Sequence, residues 1–292
     1  MSRVLIGGTM KIGISMSATA SMGDFGVIAS KIEDLGFDSV WLPEHPVMPV
    51  NHKSVYGGTS DGSIPKQMYL GVNPLIALSR ASSVTTNLGI GTAVNLITEH
   101  NPLDLAKLIA TLDFYSGGRF LFGIGTGWFR EEAEIMGADF DHRWTQAREY
   151  VLAMKEIWTK EEAEFHGKYI DFPPIICNPK PAQDPHPPVL LGGNAKNVLK
   201  RVARWGDGWL PIRLSPEDII KAKQELLELC DVEDRDPSTI QITMHSLPPD
   251  KELISRFEEV GVDRVLVGVA SATQEEIFEE LEAIAESILV NT

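Results

Sequence analysis

Short apolar segments alternate with capped, amphipathic segments along the chain, and this alternation limits the fold more than any other feature. Residues 11–16 are predicted to form a strand, and residues 24–35 carry apolar side chains at helical spacing. Asn-Pro pairs at Asn73 and Asn101 predict two further helix starts, because asparagine caps a helix and proline suits its first position. Further strands are predicted at residues 39–42, 88–96, 119–124, 189–191, 209–212, 240–245 and 264–269.

Eight strand–helix units in 292 residues predict an α/β fold, a single-domain (β/α)8 barrel. A doubly wound sheet also alternates strands and helices, but it usually has fewer strands. Residues 1–9 are interpreted as an N-terminal extension and residues 10–290 as the barrel. Residues 160–188 contain seven prolines, which predict an extended excursion rather than a helix. Active sites of such barrels lie where the strands end, so the residues after each strand are the candidates for function.

The charge balance of the chain limits its partners. The sequence has 26 Lys and Arg against 41 Asp and Glu, a net charge of −15, which disfavours nucleic acid or an anionic membrane as the main partner. Lys11 interrupts the apolar start of the chain, and no apolar run approaches the roughly 20 residues that cross a bilayer. Cys177 and Cys230 match no metal or redox spacing and favour a reducing compartment. A soluble, cytoplasmic protein is expected.

Metal and hydrolase chemistry have little support in the sequence. None of the seven histidines forms an HxH or HExxH pattern, and the cysteines form no CxxC, so no metal site is expected. The GxSxG sequence of a nucleophile elbow is absent too.

A histidine closely follows the second predicted strand. At the mouth of a barrel a neutral imidazole can accept or donate a proton near neutral pH, which makes His45 the candidate catalytic residue. A solvated loop histidine is the alternative. The neighbouring Glu44 is a candidate for orienting His45 or sharing the proton transfer, and an ordinary solvated carboxylate is at least as good an interpretation.

Glycines mark the ends of two further strands. The fourth predicted strand ends at Gly125-Thr126-Gly127, but the spacing of its glycines does not match GxGxxG, so a Rossmann site is rejected. These glycines would instead let a flat ring system lie against the backbone. The fifth strand ends at Gly192-Gly193, and a helix is predicted from Asn194 to Trp205.

The start of that helix predicts an anion site. Free amides at a helix N-terminus attract negative charge, and two glycines let a phosphate approach closely. A tight strand–helix turn is the alternative. Arg213 follows the sixth strand and is a candidate cation for a phosphate, a carboxylate or a substrate anion, with an ordinary surface arginine as the equal alternative.

Seven segments, in order along the chain, match one known family. They are KIGISM, SVWLPEH, LGIGTAVNLITEHNP, ATLDFYSGGRFLFGIGTGW, HGKYIDFPP, PPVLLGGNA and RVARWGDGWLP. With these segments the chain resembles the bacterial luciferase-like superfamily of flavin and deazaflavin oxidoreductases over nearly all of residues 10–290. The resemblance implies a barrel, a bound flavin-type cofactor and redox chemistry.

The resemblance also assigns roles to individual residues. His45 matches a histidine at the reacting face of the isoalloxazine ring, and Ala93-Val94 matches a non-proline cis peptide bond that supports the ring from behind. Gly192 and Gly193 match the loop that binds the cofactor phosphate. The other residues expected to contact the cofactor are Thr92, Gly125, Thr126, Gly127 and the amides of Asn194 and Ala195.

Two departures from the family bear on the cofactor and the substrate. Thr126 stands where luciferases carry an arginine for the flavin phosphate, and WLPEH and LLGGNA resemble the branch that uses coenzyme F420, an 8-hydroxy-5-deazaflavin. Trp128 stands where sugar-phosphate dehydrogenases of that branch carry a glutamate. Trp128 is therefore expected to make the substrate pocket more apolar, so that glucose-6-phosphate is a poor fit; Arg213 is expected to line the same pocket.

The resemblance implies an F420-dependent oxidoreductase that moves a hydride between the deazaflavin and a small organic substrate. His45 would exchange the substrate proton, and Glu44 would assist. Two alternatives stay open: a monooxygenase that uses reduced FMN and oxygen, and a barrel that binds a flavin or no cofactor and catalyses nothing. The family also implies a homodimer, with the helices after the second and third strands as a possible interface.

Overall fold

Eight parallel strands close into a barrel in the computed structural model, which describes residues 10–289. The barrel closes where the third and fourth of these strands pair, with Ile90 opposite Phe120. The prediction of a single-domain (β/α)8 barrel is confirmed. In chain order the barrel strands are β1 (Lys11–Ser15), β2 (Ser39–Leu42), β3 (Gly89–Thr92), β5 (Phe120–Gly125), β8 (Val189–Gly192), β9 (Gly208–Leu210), β10 (Gln241–Leu247) and β11 (Arg264–Gly268), and three short strands complete the set: β4 (Asn95–Leu96), β6 (Ala163–His166) and β7 (Asp171–Ile175).

Helices pack around the strands and begin at the caps that the sequence predicts. The side-chain oxygens of Asn73 and Asn101 each accept hydrogen bonds from the first turn of the helix that follows. Ser215 and Thr273 form capping boxes at two later helices. The helices are α1 (Phe25–Asp34), α2 (Pro74–Ser82), α3 (Pro102–Ser116), α4 (Arg130–Ile135), α5 (Arg143–Thr159), α6 (Val198–Trp205), α7 (Pro216–Val232), α8 (Lys251–Glu259) and α9 (Gln274–Ile288).

Three predicted elements differ from the structure. The strand predicted over residues 88–96 is divided into β3 and β4, with the Ala93–Val94 peptide bond between them. Residues 160–188 are not helical, as predicted, but they contain an antiparallel hairpin of β6 and β7 that the prolines did not indicate. The helix predicted from Asn194 begins only at Val198, because Asn197 has a left-handed backbone (φ 70°) that a helix cannot include.

A close contact between β3 and β5 explains one glycine. The Thr92 hydroxyl donates a hydrogen bond to the carbonyl oxygen of Gly123 over 2.7 Å, and Thr92 is fully buried. A Cβ atom on Gly123 would overlap the carbonyl oxygen of Thr92. The glycine is therefore needed for the barrel to close at this point.

The structure bears on membrane-spanning helices, on the two cysteines and on the described ends of the chain. Within residues 10–289 no helix is long and apolar enough to cross a membrane. Cys177 and Cys230 are free thiols. The extension predicted at residues 1–9 lies outside the described residues, as does residue 290.

Candidate active site

The residues singled out in the sequence lie at one end of the barrel. All barrel strands are parallel, so their carboxyl ends share one face, here called the mouth. A cavity of about 1070 Å³ opens at the opposite face, but none of the candidate residues lines it. Two of its charged side chains, Arg264 and Asp38, pair with each other at 2.8 Å. We therefore interpret that cavity as part of the supporting face and look for chemistry at the mouth.

His45 is held by a buried carboxylate. Its Nδ1 lies 2.6 Å from Oε2 of Glu132, which is fully buried on α4. The second oxygen of Glu132 accepts a hydrogen bond from the amide of Val47 over 3.3 Å. With Nδ1 engaged, Nε2 is the ring nitrogen left to exchange a proton. Sequence reasoning missed Glu132, because it lies 87 residues after His45 with no local motif to connect them.

Glu44 does not orient His45, so that part of the prediction is wrong. Its Oε2 accepts hydrogen bonds from the Asn95 amide group at 2.6 Å and the Leu96 backbone at 2.8 Å, and it lies 3.0 Å from Nε2 of His100. The residue is only 4% exposed, so a solvated loop carboxylate is wrong too. Glu44 fastens the loop after β2 to β4, and a catalytic role for it stays a prediction.

A third carboxyl group, Glu99, lies in the short turn after β4. It is 2% exposed, and neither of its oxygens has a hydrogen-bond partner in the part of the chain that the structure describes. Burial, with the charges of Glu132 and Glu44 next, raises the pKa of Glu99 to about 9. The sequence analysis did not single out Glu99, although it lies within the LGIGTAVNLITEHNP segment.

Aromatic rings form the wall beside His45. Trp128 contacts His45 edge to face, with ring centroids 6.0 Å apart, and stacks on Phe129 at 4.8 Å. The ring centroid of Tyr56 lies 5.2 Å from that of Trp128. That Trp128 makes a substrate pocket more apolar stays a prediction.

The long loop that carries Tyr56 is tied to α4. The Glu131 carboxylate accepts hydrogen bonds from the Lys53 amide and the Ser54 hydroxyl, both at 2.6 Å. These hydrogen bonds, that of the Ser54 hydroxyl first, lower the pKa of Glu131 to about 2. Glu131 and Glu132 are neighbours on one short helix, so α4 binds the loop at two points.

The Ala93–Val94 peptide bond is cis, as the resemblance implies. Val94 packs against two strand ends: a Cβ atom on Gly125 would lie 2.5 Å from its Cγ2, and one on Gly192 would lie 2.5 Å from its Cγ1. The interpretation of these two glycines as seats for a ring is therefore incomplete, since the Val94 side chain already requires them. Their contact with a cofactor stays a prediction.

The turn predicted to bind phosphate is partly engaged by the protein itself. The Gly193 amide donates to the carbonyl oxygen of Leu210 over 2.9 Å, and the Asn194 side chain bonds both backbone groups of Ile212. Within residues 10–289 the amides of Asn194 and Ala195 donate no hydrogen bond. Since α6 begins later than predicted, these amides belong to a turn and not to a helix N-terminus.

Arg213 lies beside that turn, because it directly follows Ile212, whose backbone is hydrogen-bonded to the Asn194 side chain. Its backbone is left-handed (φ 53°), and its Nη1 lies 3.5 Å from the carbonyl oxygen of Gly58 in the loop after β2.

Near Arg213, Nε2 of His245 lies 2.8 Å from the Ser15 hydroxyl. Burial, with a smaller contribution from Arg213, lowers the pKa of His245 to about 4, so this imidazole is neutral at pH 7.

Thr126 and Gly127, two other predicted cofactor contacts, follow β5 directly. Thr126 is 4% exposed, and Gly127 has a left-handed backbone (φ 72°) that suits glycine. The carboxyl of Glu99 lies under this turn, 3.1 Å from where a Cβ atom on Gly127 would be. Among residues 10–289 no group of three or more His, Cys, Asp or Glu could hold a metal ion.

Comparison with known proteins identifies the family that this fold and mouth define. The chain belongs to the luciferase-like monooxygenase family, whose model matches residues 9–249. Members of this superfamily are flavin- or F420-dependent oxidoreductases and monooxygenases.

Proteins similar to this chain include an uncharacterized protein, an F420-dependent enzyme and, by fold, a monooxygenase. An uncharacterized protein of Mycobacterium tuberculosis is 36% identical over 87% of this chain and 89% of its own. The F420-dependent glucose-6-phosphate dehydrogenase of Kineococcus radiotolerans is 29% identical over 76% of this chain and 64% of its own. A monooxygenase structure from Streptomyces bottropensis shares the fold, with a TM-score of 0.78, 19% identity, and coverage of 96% of this chain and 99% of that one.

Proposed function

We propose that this protein is an oxidoreductase that moves a hydride between the deazaflavin F420 and a small organic substrate. The observation that carries the proposal is the His45–Glu132 pair at the mouth. A hydride that adds to a carbonyl carbon leaves an alkoxide, which must gain one proton; oxidation of the alcohol runs the same balance in reverse. An imidazole held by a buried carboxylate is suited to both directions.

The other mouth residues fit a flavin-type group. Open space at Gly193, unengaged amides at Asn194 and Ala195, and the nearby Arg213 cation suit an anionic tail. Trp128 and Tyr56 offer an apolar wall for a ring or a substrate. When bound, the deazaflavin supplies the hydride chemistry, while the chain orients the reactants and handles the proton.

The second candidate is a monooxygenase that uses reduced FMN and oxygen. The amides of Asn194 and Ala195, with Arg213, are also compatible with it, because they offer donors to the phosphate of FMN even though residue 126 is threonine. His45 and Glu132 would then hold or move a proton during oxygen chemistry instead.

A titration separates the two cofactors. Quenching of cofactor fluorescence is expected to give a Kd for F420 at least about ten-fold below that for FMN, a preference of about 1.4 kcal/mol. Tighter binding of FMN would reverse the order of the two candidates. Binding of neither would favour a barrel without redox function. A screen of alcohols and carbonyl compounds with the preferred cofactor then identifies the substrate.

We also propose that the protein is a homodimer. Leu108 and Tyr115 lie seven residues apart on α3 and are exposed, as are Phe114 and, on α2, Ile76. Exposed apolar side chains on adjoining helices suit a self-complementary interface. Sedimentation is expected to give twice 32.1 kDa for the wild type and one chain for Leu108→Glu. Val232→Glu, on exposed α7 surface, is the matched control, and a monomeric wild type would refute the proposal.

We infer the cellular location of the protein and the kind of partner it binds from its composition. The free thiols of Cys177 and Cys230 and the net charge of −15 favour a cytoplasmic protein that acts on a small molecule rather than on nucleic acid or a membrane. Cell fractionation tests the location.

A further inference from the structure

Glu99 lies near two other buried carboxyl groups, those of Glu44 and Glu132. Of these three residues, only Glu99 has no hydrogen-bond partner in the part of the chain that the structure describes. Glu44 accepts hydrogen bonds from Asn95 and Leu96 and contacts His100, and Glu132 contacts His45 and the amide of Val47. Both oxygens of Glu99 lack a hydrogen-bond partner among residues 10–289, and the residue is 2% exposed. A buried carboxylate with no donor is the least favourable place for a negative charge.

Among residues 10–289, no side chain donates a hydrogen bond to the carboxyl group of Glu99. Glu44 and His45 lie in the loop after β2, His100 lies before α3, and Glu132 lies on α4. From α5, which packs against the same turn, none of the buried side chains is charged. A negative charge on Glu99, buried without a donor and near Glu132 and Glu44, is therefore unfavourable at neutral pH.

We propose that Glu99 is a positioning residue that holds a proton, and that this proton lets Glu132 remain the ionised partner of His45. This inference rests on the proposed acid–base role of His45. A neutral carboxylic acid adds no negative charge beside Glu132, whereas an ionised Glu99 would repel it and loosen its hold on the imidazole. The raised pKa of Glu99, due first to burial and then to Glu132 and Glu44, supports this assignment.

Infrared spectroscopy of the protein without cofactor observes the proton directly. At pH 7 the wild type is expected to show the carbonyl stretch of a protonated carboxylic acid, which Glu99→Gln lacks. Glu279→Gln, the same substitution at an exposed position on α9, is the matched control and should keep the band. A wild type without the band, or a Glu99→Gln protein that retains it, would overturn the proposal.

The pH dependence of unfolding gives a second readout. In the unfolded chain the carboxyl ionises above its ordinary pKa of 4.5, whereas folded Glu99 keeps its proton up to about pH 9. Between these values the unfolded state binds fewer protons, so rising pH destabilises the folded wild type by up to about ten-fold per pH unit in its folding equilibrium. Glu99→Gln is expected to lack this contribution, and Glu279→Gln to retain it. Equal slopes in all three proteins would contradict the proposal.

The pH profile of turnover separates positioning from simple packing. Above pH 9 an ionised Glu99 is expected to lower wild-type turnover about ten-fold per pH unit. The ratio of turnover at pH 10 to that at pH 7 should therefore be about ten-fold higher in Glu99→Gln than in the wild type. An unchanged ratio would contradict the positioning role. If no redox substrate is found, the proposed function fails, but the infrared and unfolding results still decide whether Glu99 holds a proton.

Discussion

Replacing His45 with alanine is expected to lower turnover by about 10²- to 10⁴-fold, the usual contribution of a positioned acid–base group. The imidazole lies at the mouth with Nδ1 fixed 2.6 Å from Glu132, which leaves Nε2 to exchange the substrate proton. Steady-state kinetics with the substrate and cofactor found in the screen measure the effect. Cofactor titration of the variant separates lost chemistry from lost binding.

His166→Ala is the matched control for that experiment. His166 also contacts a carboxylate, Asp171 at 2.7 Å, but both side chains are exposed on the β6–β7 hairpin. Its loss should change turnover by less than about two-fold, since surface pairs contribute little. If His45→Ala retained wild-type turnover, His45 would not be the acid–base residue.

Replacing Glu132 with glutamine is expected to lower turnover by about 10- to 150-fold. The substitution keeps the shape of the side chain but removes the charge-assisted hydrogen bond to His45, which is worth about 1.5–3 kcal/mol. At 1.36 kcal/mol for each factor of ten, this gives the stated loss in rate. Kinetics of Glu132→Gln beside the wild type, with a thermal unfolding curve for each, measure it.

Glu134→Gln tests whether the effect belongs to the buried residue. Glu134 lies on the same helix, is 54% exposed and contacts Arg130, so its loss should leave turnover nearly unchanged. Equal rates for Glu132→Gln and the wild type would show that the carboxylate does not support His45 in the reaction.

The barrel could be predicted because its signals are local. The capping residues Asn73 and Asn101 act within a few positions of themselves, so their helices begin where the sequence indicates. His45 could be placed at the mouth because it closely follows β2. The departures are local as well: Asn197 adopts a left-handed backbone, so α6 begins four residues later than expected.

The rest of the site depends on contacts between distant parts of the chain. Glu132 meets His45 across 87 residues, and Glu44 turns toward Asn95 and His100 instead of its neighbour. The glycines at 125 and 192 were interpreted through a cofactor, whereas the side chain of Val94 explains both by packing. Such contacts depend on how the loops pack against one another, which the spacing of residues in the sequence does not indicate.

The attachment of the loop after β2 to α4 limits how the first part of that loop can move. Its base cannot swing outward without separating Glu132 from His45 and Glu131 from Lys53 and Ser54. At Gly58, in contrast, the contact with Arg213 is long, with 3.5 Å between the Nη1 of Arg213 and the carbonyl oxygen of Gly58. A displacement of the loop at Gly58 would break this contact and leave the attachments of Glu131 and Glu132 in place.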